Sequence, residues 1–194
     1  MIEISIGFPE AQRAVAARLY DEAFHRKLAP MVPDAVRRQA MLAECLDPER
    51  ALVAMEAGRV IGLAGFHHAG RSLTGAGGWS TLMSHLGLWG ALRAAVGFSL
   101  FERSPQPGEL LMDGICVASE ARGRGVGTTL LRGIFAHAAL VGVDHVRLDV
   151  IDTNPRARAL YEREGFIAAE TTEVGWLSGT FGFSSATTMV KTLS

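Results

Sequence analysis

The chain has 194 residues, which is enough for one well-buried core but a tight fit for two, so we predict a single domain over 1–194. Its 48% hydrophobic and 20% charged residues exclude a disordered protein. The formal net charge of −1 gives no overall field that would attract nucleic acid or an acidic membrane surface, and we expect neither as a partner.

The first third of the chain predicts a strand, two helices and a β-hairpin. Isoleucines at 2, 4 and 6 alternate with polar residues, which is the period of a half-buried strand. A helical pattern follows Pro9, and after two further prolines Asp34 is placed to cap a second helix. Residues 51–66 are two apolar runs separated by Ala57 and Gly58, the pattern of two strands joined by a tight turn.

Residues 71–107 predict an insertion. Within it, 79–101 is an apolar stretch in which Arg93 and His85 are the strongly polar residues. An arginine near the middle of a membrane span costs about 2.5–3.5 kcal/mol on insertion scales. The stretch also contains glycines that weaken it as an isolated helix. We therefore predict a buried or interface helix and not a membrane span.

The remainder alternates strands and helices. Residues 110–117 predict a strand, and after a glycine-rich turn an amphipathic helix runs from Val126 to a cap at Gly142. Residues 146–150 predict the next strand, Asn154 caps a helix that ends at Gly165, and 166–169 and 187–190 predict closing strands. A hairpin followed by a strand–helix–strand crossover predicts an α/β protein with a mixed sheet flanked by helices.

The turn between the strand and helix is suited to a pyrophosphate. A helix N-terminus leaves backbone N–H groups unpaired and has a partial positive charge. Alternating glycines leave these groups accessible, and two arginines add charged donors. A P-loop would need a lysine after the last glycine, and a Rossmann turn has a different glycine spacing. The turn reads Arg122-Gly123-Arg124-Gly125-Val126-Gly127.

Two segments resemble signatures of the GNAT superfamily of N-acetyltransferases. The first, Arg122-x-x-Gly125-x-Gly127, is similar to its acetyl-CoA-binding motif. The second follows at the expected distance and reads Asn154-x-x-Ala157-x-x-Leu160-Tyr161-x-x-x-Gly165-Phe166. Together they cover 110–170 closely, and the hairpin and first helices fit more loosely. One departure is Ser119, where many members have proline. The resemblance implies a GNAT-like fold and acetyl-CoA as the co-substrate.

The resemblance also assigns roles to residues. Backbone groups of Ile115 and Val117 would pair with the pantetheine amides like an added strand. Asn154 would contact the pantetheine arm while capping its helix, and Tyr161 would be the general acid that protonates the coenzyme A thiolate. The loop would hold the pyrophosphate through Arg122, Gly123, Arg124, Gly125, Val126, Gly127 and Thr128.

An amine nucleophile needs a general base. A lysine-like amine has a pKa of about 10.4, so its deprotonation at pH 7 costs about 4.6 kcal/mol. Asp113 lies in an otherwise apolar strand and, unless a bulge intervenes, shares a face with Val117. It is the first candidate, with a carboxylate satisfied by a backbone amide as the alternative reading. Glu109, at the start of the strand, is the second candidate.

Histidines and cysteines contribute less to the predicted site. His67 and His68 are adjacent in a strand and point to opposite faces, so at most one can serve an acceptor. Cys45 and Cys116 form no CxxC pair, and no histidine or cysteine cluster has metal-ligand spacing, so we expect no metal. Cys116 is predicted to be a core residue and not a nucleophile. Free thiols and the lack of a signal peptide favour the cytoplasm.

These features predict an enzyme that transfers an acetyl group from acetyl-CoA directly to a primary amine on a small molecule or a peptide. The alternative is a non-catalytic module of the same fold that binds and senses acyl-CoA. Tyr161 favours the enzyme, because binding alone needs no acid. The insertion either covers the acceptor site or forms a homodimer interface, and both readings stay open.

Overall fold

The computed structural model describes residues 1–99, 104–175 and 178–193, and these form seven strands and six α-helices. The strands are β1 (Ile2–Ile6), β2 (Ala51–Glu56), β3 (Arg59–His67), β4 (Glu109–Val117), β5 (His145–Ile151), β6 (Ile167–Glu173) and β7 (Ser185–Thr192). The helices are α1 (Arg13–Leu28), α2 (Ala35–Cys45), α3 (Trp79–Ser99), α4 (Val126–Leu140), α5 (Pro155–Arg163) and the short α6 (Ser178–Phe181).

All seven strands belong to one sheet in the order β1-β2-β3-β4-β5-β7-β6. Neighbours are antiparallel except β4 and β5, which are parallel because α4 connects them. The β2–β3 turn has positive φ angles at Ala57 (49°) and Gly58 (77°), as a two-residue hairpin loop requires. The predicted mixed sheet flanked by helices is confirmed.

Helix ends follow the local sequence. The Asp34 carboxylate accepts the Arg37 N–H at 2.8 Å, and the Asn154 side chain accepts the Ala157 N–H at 3.2 Å, so both predicted N-terminal caps are confirmed. Gly142 follows α4 with a φ of 72°, the left-handed conformation of the predicted C-terminal cap.

Helices cover the two faces of the sheet unequally. On one side, which we term the α4 face, α4 buries Leu130, Leu131 and Ile134 against the strands, and α5 adds Tyr161 to the same core. On the other side, the α1 face, α1 and α2 pack over the β1–β4 half of the sheet in a second core that includes Leu63.

The predicted insertion helix is present as α3 and is kinked at Gly87, where φ is 66°. It packs on α2, on the α1–α2 turn and on the β6–β7 connection through a third apolar cluster containing Met31, Ala94, Phe181 and Phe183. Residues 100 and 101 of the predicted helix lie outside the described residues. Among the helices that the structure describes, none is both long enough and apolar enough to span a bilayer.

Candidate functional site

β4 and β5 separate along their length. Parallel pairing joins Glu109 to His145, and continues only to Leu111 and Arg147 among the described residues. From residue 112 to Val117, the edge of β4 that faces β5 therefore has no strand partner. Apart from the Val117 carbonyl, which accepts from Arg122, the N–H and C=O groups on this edge can bind an extended, amide-containing ligand in the manner of an added strand.

The glycine-rich loop follows the end of β4. Gly123 and Gly125 are left-handed, with φ angles of 77° and 81°, and a Cβ on either would meet no atom within 4 Å. The first hydrogen bond within α4 runs from the Thr129 N–H to the Gly125 carbonyl at 3.0 Å. The N–H groups of residues 126–128 therefore have no hydrogen-bond partner within α4. Such a set of donors suits an anion.

The two loop arginines are engaged with the protein. Arg122 Nε donates to the Val117 carbonyl at 3.1 Å, and Arg124 makes hydrogen bonds of 2.5 and 3.0 Å to the Glu56 carboxylate at the end of β2. The Arg124 guanidinium lowers the pKa of Glu56. These contacts anchor the loop to β4 and β2, while each guanidinium keeps further N–H donors that a phosphate can share. The contact of Glu56 with the loop was missed by sequence reasoning, because nothing local marks a partner 68 positions away.

Helix α5 places the second sequence motif beside the loop. A Cβ on Gly127 would lie 3.4 Å from Leu160 Cδ2 and 3.9 Å from Val117 Cγ2. The loop, α5 and the end of β4 therefore meet around Gly127. Asn154 uses its side-chain oxygen to cap α5 and keeps its amide N–H₂ as a donor.

Tyr161 is set in the core of the α4 face. Its ring is buried, and its centroid lies 5.8 Å from that of Phe166. Among the described residues, none accepts a hydrogen bond from its hydroxyl. Burial raises the pKa of the phenol, so the group stays protonated at neutral pH. Tyr161 is therefore a hydrogen-bond donor available to a ligand.

A β-bulge interrupts β4 at the candidate base. Gly65 of β3 pairs with Gly114, and the next residue, Phe66, pairs with Met112, so Asp113 is an extra residue in the ladder. Gly114 has a φ of 151°, and the Phe24 ring of α1 occupies the place where its Cβ would lie. Only glycine fits there.

The bulge makes the predicted orientation of Asp113 wrong. The extra residue shifts the alternation, so Asp113 lies on the α1 face, whereas Val117 packs with the core of the α4 face. The Asp113 carboxylate accepts the Leu73 N–H at 2.7 Å, as in the alternative reading of this residue. Burial raises the pKa of Asp113, although the hydrogen bond from the Leu73 N–H lowers it. The Tyr20 side chain is close enough for the Asp113 charge to raise its pKa, although burial is the larger cause.

The second candidate base, Glu109, lies at the end of β4 that pairs with β5. The Glu109 carboxylate lies 3.2 Å from Arg147 Nε and accepts the Gln106 N–H at 3.2 Å. Both members of the pair are largely buried, with 11% and 17% of their side chains exposed. Glu109 therefore lies where β4 and β5 still pair, and not where they separate.

The two adjacent histidines lie on opposite faces of the sheet, as their positions in the strand predict. His67 lines an open groove of about 810 Å³ on the α1 face, while His68 lies close to His137 of α4, so the adjacent histidines do point to opposite faces. Charged groups in the groove pair with one another, as Arg71 does with Asp47 at 2.6 Å, and no residue of the glycine-rich loop lines it.

Cys116 is a buried core residue, as predicted, and burial raises the pKa of its thiol to about 12. It is therefore not a nucleophile at neutral pH. In the described parts of the chain, no group of three or more histidine, cysteine, aspartate or glutamate side chains could hold a metal ion.

Comparison with known proteins identifies the family to which this chain is similar. The model of the acetyltransferase (GNAT) family matches residues 15–166, which contain the diverging strands, the loop and α5. No curated protein matches the chain in sequence.

Solved structures share the fold at low sequence identity. A ribosomal-protein-alanine N-acetyltransferase from Brucella melitensis is 21% identical, with a TM-score of 0.62, and the match covers 100% of this chain and 99% of that one. The ribosomal-protein-S18-alanine N-acetyltransferase from Escherichia coli is 19% identical, with a TM-score of 0.61 and coverage of 100% and 95%. An N-acetyltransferase from Staphylococcus aureus is 15% identical, with a TM-score of 0.63 and coverage of 100% and 99%. At these identities the likeness supports the fold.

Proposed function

Because the chain belongs to the GNAT family of acetyltransferases, we propose that it transfers an acetyl group from acetyl-CoA to a primary amine. One observation carries the proposal. Unpaired loop amides, the free edge of β4 and the helix that holds Tyr161 all meet around Gly127. A ligand with a pyrophosphate, a chain of amides and a thioester has a matching partner for each of these parts.

The residues present fit coenzyme A. The N–H groups of 126–128 and the further donors of Arg122 and Arg124 suit the pyrophosphate, and the open space over Gly123 and Gly125 admits it. Backbone groups at Ile115 and Val117 suit the pantetheine amides, with Asn154 at the start of α5 as a further donor. The thioester of acetyl-CoA supplies the activated acetyl group.

The candidate groups for the two proton transfers, one from the amine and one to the leaving sulfur, lie on different faces of the sheet. In direct transfer the amine nitrogen bonds to the carbonyl carbon, the carbon–sulfur bond breaks, the ammonium proton goes to a base and the departing sulfur accepts a proton. Asp113 lies on the α1 face, in the part of β4 that has no pairing with β5, and Tyr161 belongs to the core of the α4 face. The amine adds to the carbonyl carbon to give a tetrahedral intermediate, from which the thiolate then departs. A base on the α1 face suits an amine that arrives from that face.

Tyr161 stabilises the leaving thiolate mainly as a hydrogen-bond donor. A thiol has a pKa near 8.5, far below that of the buried phenol, so complete proton transfer from Tyr161 is uphill. A hydrogen bond to the sulfur still favours the developing negative charge.

The acceptor class is proposed from the family and the relatives. By their names, the enzymes from Brucella melitensis and Escherichia coli act on alanine of ribosomal proteins. Peptides with an N-terminal alanine are therefore the first acceptors to test, followed by lysine peptides and small primary amines. Two free cysteines fit a reducing compartment, and we propose that the protein acts in the cytoplasm.

The decisive experiment measures binding and turnover on one preparation. Calorimetry should show acetyl-CoA binding, and thiol release with the amine panel should show turnover. Absence of acetyl-CoA binding would refute the proposal. Tight binding without turnover on any amine would instead favour the acyl-CoA-sensing module.

A further inference from the structure

Helix α3 is apolar on two opposite faces but buries only one of them. Its inner face is held by Ala91 and Ala94, both fully buried, and by Phe98 in the apolar cluster over the α1–α2 turn. Arg93, at the border between the faces, donates to the Met31 carbonyl at 2.9 Å and fastens the helix there. A helix that is apolar all round normally has both faces covered.

The outer face is a stripe of four exposed side chains, which we call the α3 stripe. Leu88 is 51% exposed, Trp89 81%, Leu92 42% and Val96 65%. Their spacing of three and four residues places them along one side of the helix after the kink at Gly87. Exposed aromatic side chains bury about 150–250 Å² each, so the stripe offers on the order of 500 Å² of apolar surface. Such a surface marks a contact site.

The stripe carries no charge. The two ionisable residues of α3 are Arg93, which is bound to Met31, and His85, which lies before the kink and 2.9 Å from the Glu44 carboxylate. Helices that lie on membranes carry lysine and arginine along the border of their apolar face. The single bound arginine of α3 and the net charge of −1 therefore disfavour a lipid surface.

We propose that the α3 stripe is the contact surface between two copies of this chain. An uncharged apolar stripe is complementary to itself, because pairing it with its own copy buries no unpaired charge. Two stripes together bury on the order of 1,000 Å², which is about the minimum for a specific interface. The dimer should therefore dissociate on dilution. This inference concerns association only, and it does not depend on the acetyl-transfer proposal.

Two-fold symmetry gives Leu92 a special position. The stripe runs from residue 88 to 96 with Leu92 at its centre, so a two-fold axis through the contact brings Leu92 against its own copy. Leu92→Glu and Leu92→Lys should each place like charges together and give monomers. Mixed in equal amounts, the two variants should form a heterodimer, because the charges then attract.

Analytical ultracentrifugation from about 1 to about 100 µM tests the proposal. The native chain should approach twice the monomer mass with rising concentration, and the mixture of charge variants should regain this behaviour. Leu140→Glu is the matched control, since Leu140 is 84% exposed on α4 outside the stripe, and this variant should still dimerise. If the Leu92 variants fail to fold, Trp89→Ala, at a side chain too exposed to disturb the core, should weaken the dimer at least tenfold.

Three results would overturn the proposal. The first is a native chain that stays monomeric at every concentration, which would assign the stripe to a different protein. The second is a monomer that sediments with phosphatidylcholine vesicles, which would assign it to lipid. The third is a dimer that persists unchanged in both Leu92 variants and in Trp89→Ala, which would place the interface elsewhere.

Discussion

The α4 face and the α1 face meet at the same gap in the sheet but are built differently. On the α4 face, the donors that we propose for a pyrophosphate are backbone N–H groups of one continuous turn, and Tyr161 belongs to one short helix. Both features are local in the sequence. Recognition through backbone groups needs only a loop conformation, which two left-handed glycines determine.

On the α1 face, the main contacts join different elements of the chain. Asp113 is held by Leu73, 40 residues away. The α1–α2 turn is held by the buried pair of Asp21 and Arg38, and Arg38 also donates to the Val32 carbonyl at 2.7 Å. Recognition by side chains assembled in this way has no signature in a short segment. The difference indicates that the loop on the α4 face is defined by local sequence, whereas the contacts on the α1 face depend on how separate elements pack.

The largest expected effect tests the backbone site. Gly125→Val should weaken acetyl-CoA binding at least about 100-fold, because a β-branched residue is strained at a φ of 81° and its side chain fills the space over the amides. Gly142→Val is the matched control, since Gly142 is equally left-handed and open but follows the far end of α4. Calorimetry should show near-native affinity for the control. Equal losses in both variants would mean that strain alone is responsible.

Tyr161→Phe tests the acid side of the gap. The variant keeps the ring and its packing on Phe166 and removes only the hydroxyl. We expect kcat to fall at least about tenfold while acetyl-CoA affinity stays within a few-fold of native. Because burial raises the pKa of the phenol, the native enzyme should show no loss of activity from Tyr161 up to about pH 10. An unchanged kcat with chemistry rate-limiting would return Tyr161 to a packing role.

Asp113→Asn tests the base side with an isosteric change. An asparagine oxygen can still accept the Leu73 N–H, so the bulge should persist and the charge alone is lost. We expect kcat/KM for the amine to fall about fivefold to tenfold. Since burial raises the pKa of Asp113, native activity should decline on acidification at a pH above the usual range of an aspartate. If the Asp113→Asn variant preserved both kcat/KM and this acidic decline, Asp113 would be purely structural.

Glu56→Gln should have the smallest effect, because its pair with Arg124 is largely exposed to solvent. Exposed ion pairs contribute little to binding or stability, because solvent and salt screen them. We expect KM for acetyl-CoA to rise about twofold to threefold at low salt, with kcat unchanged and the difference fading at high salt. Arg132, which pairs with Glu164 away from the loop, supplies the control Arg132→Gln. A change in kcat would show that Glu56 does more than anchor the loop.

The sequence by itself determined the mixed sheet, the order of its elements and the glycine-rich turn before α4. Periodicity, helix caps and glycine-rich turns depend on residues that are close in the sequence. The helix caps at Asp34, Asn154 and Gly142, and the loop that begins at Arg122, therefore have the conformations that the local sequence predicts. The two family motifs lie within about 60 residues of each other and needed no long-range information.

Only the tertiary structure decided the orientation of Asp113, the partner of Arg124 and the exposed face of α3. A bulge arises from the register between two strands, and a single extra residue reverses the face of a side chain without any change in the composition of the strand. The Glu56 pair forms because β2 ends beside the loop. The apolar sequence of α3 looks the same on both sides, and only the packing of Ala91 and Ala94 decides which side remains exposed. Contacts between residues far apart in the chain depend on how the elements pack, and local patterns do not encode that packing.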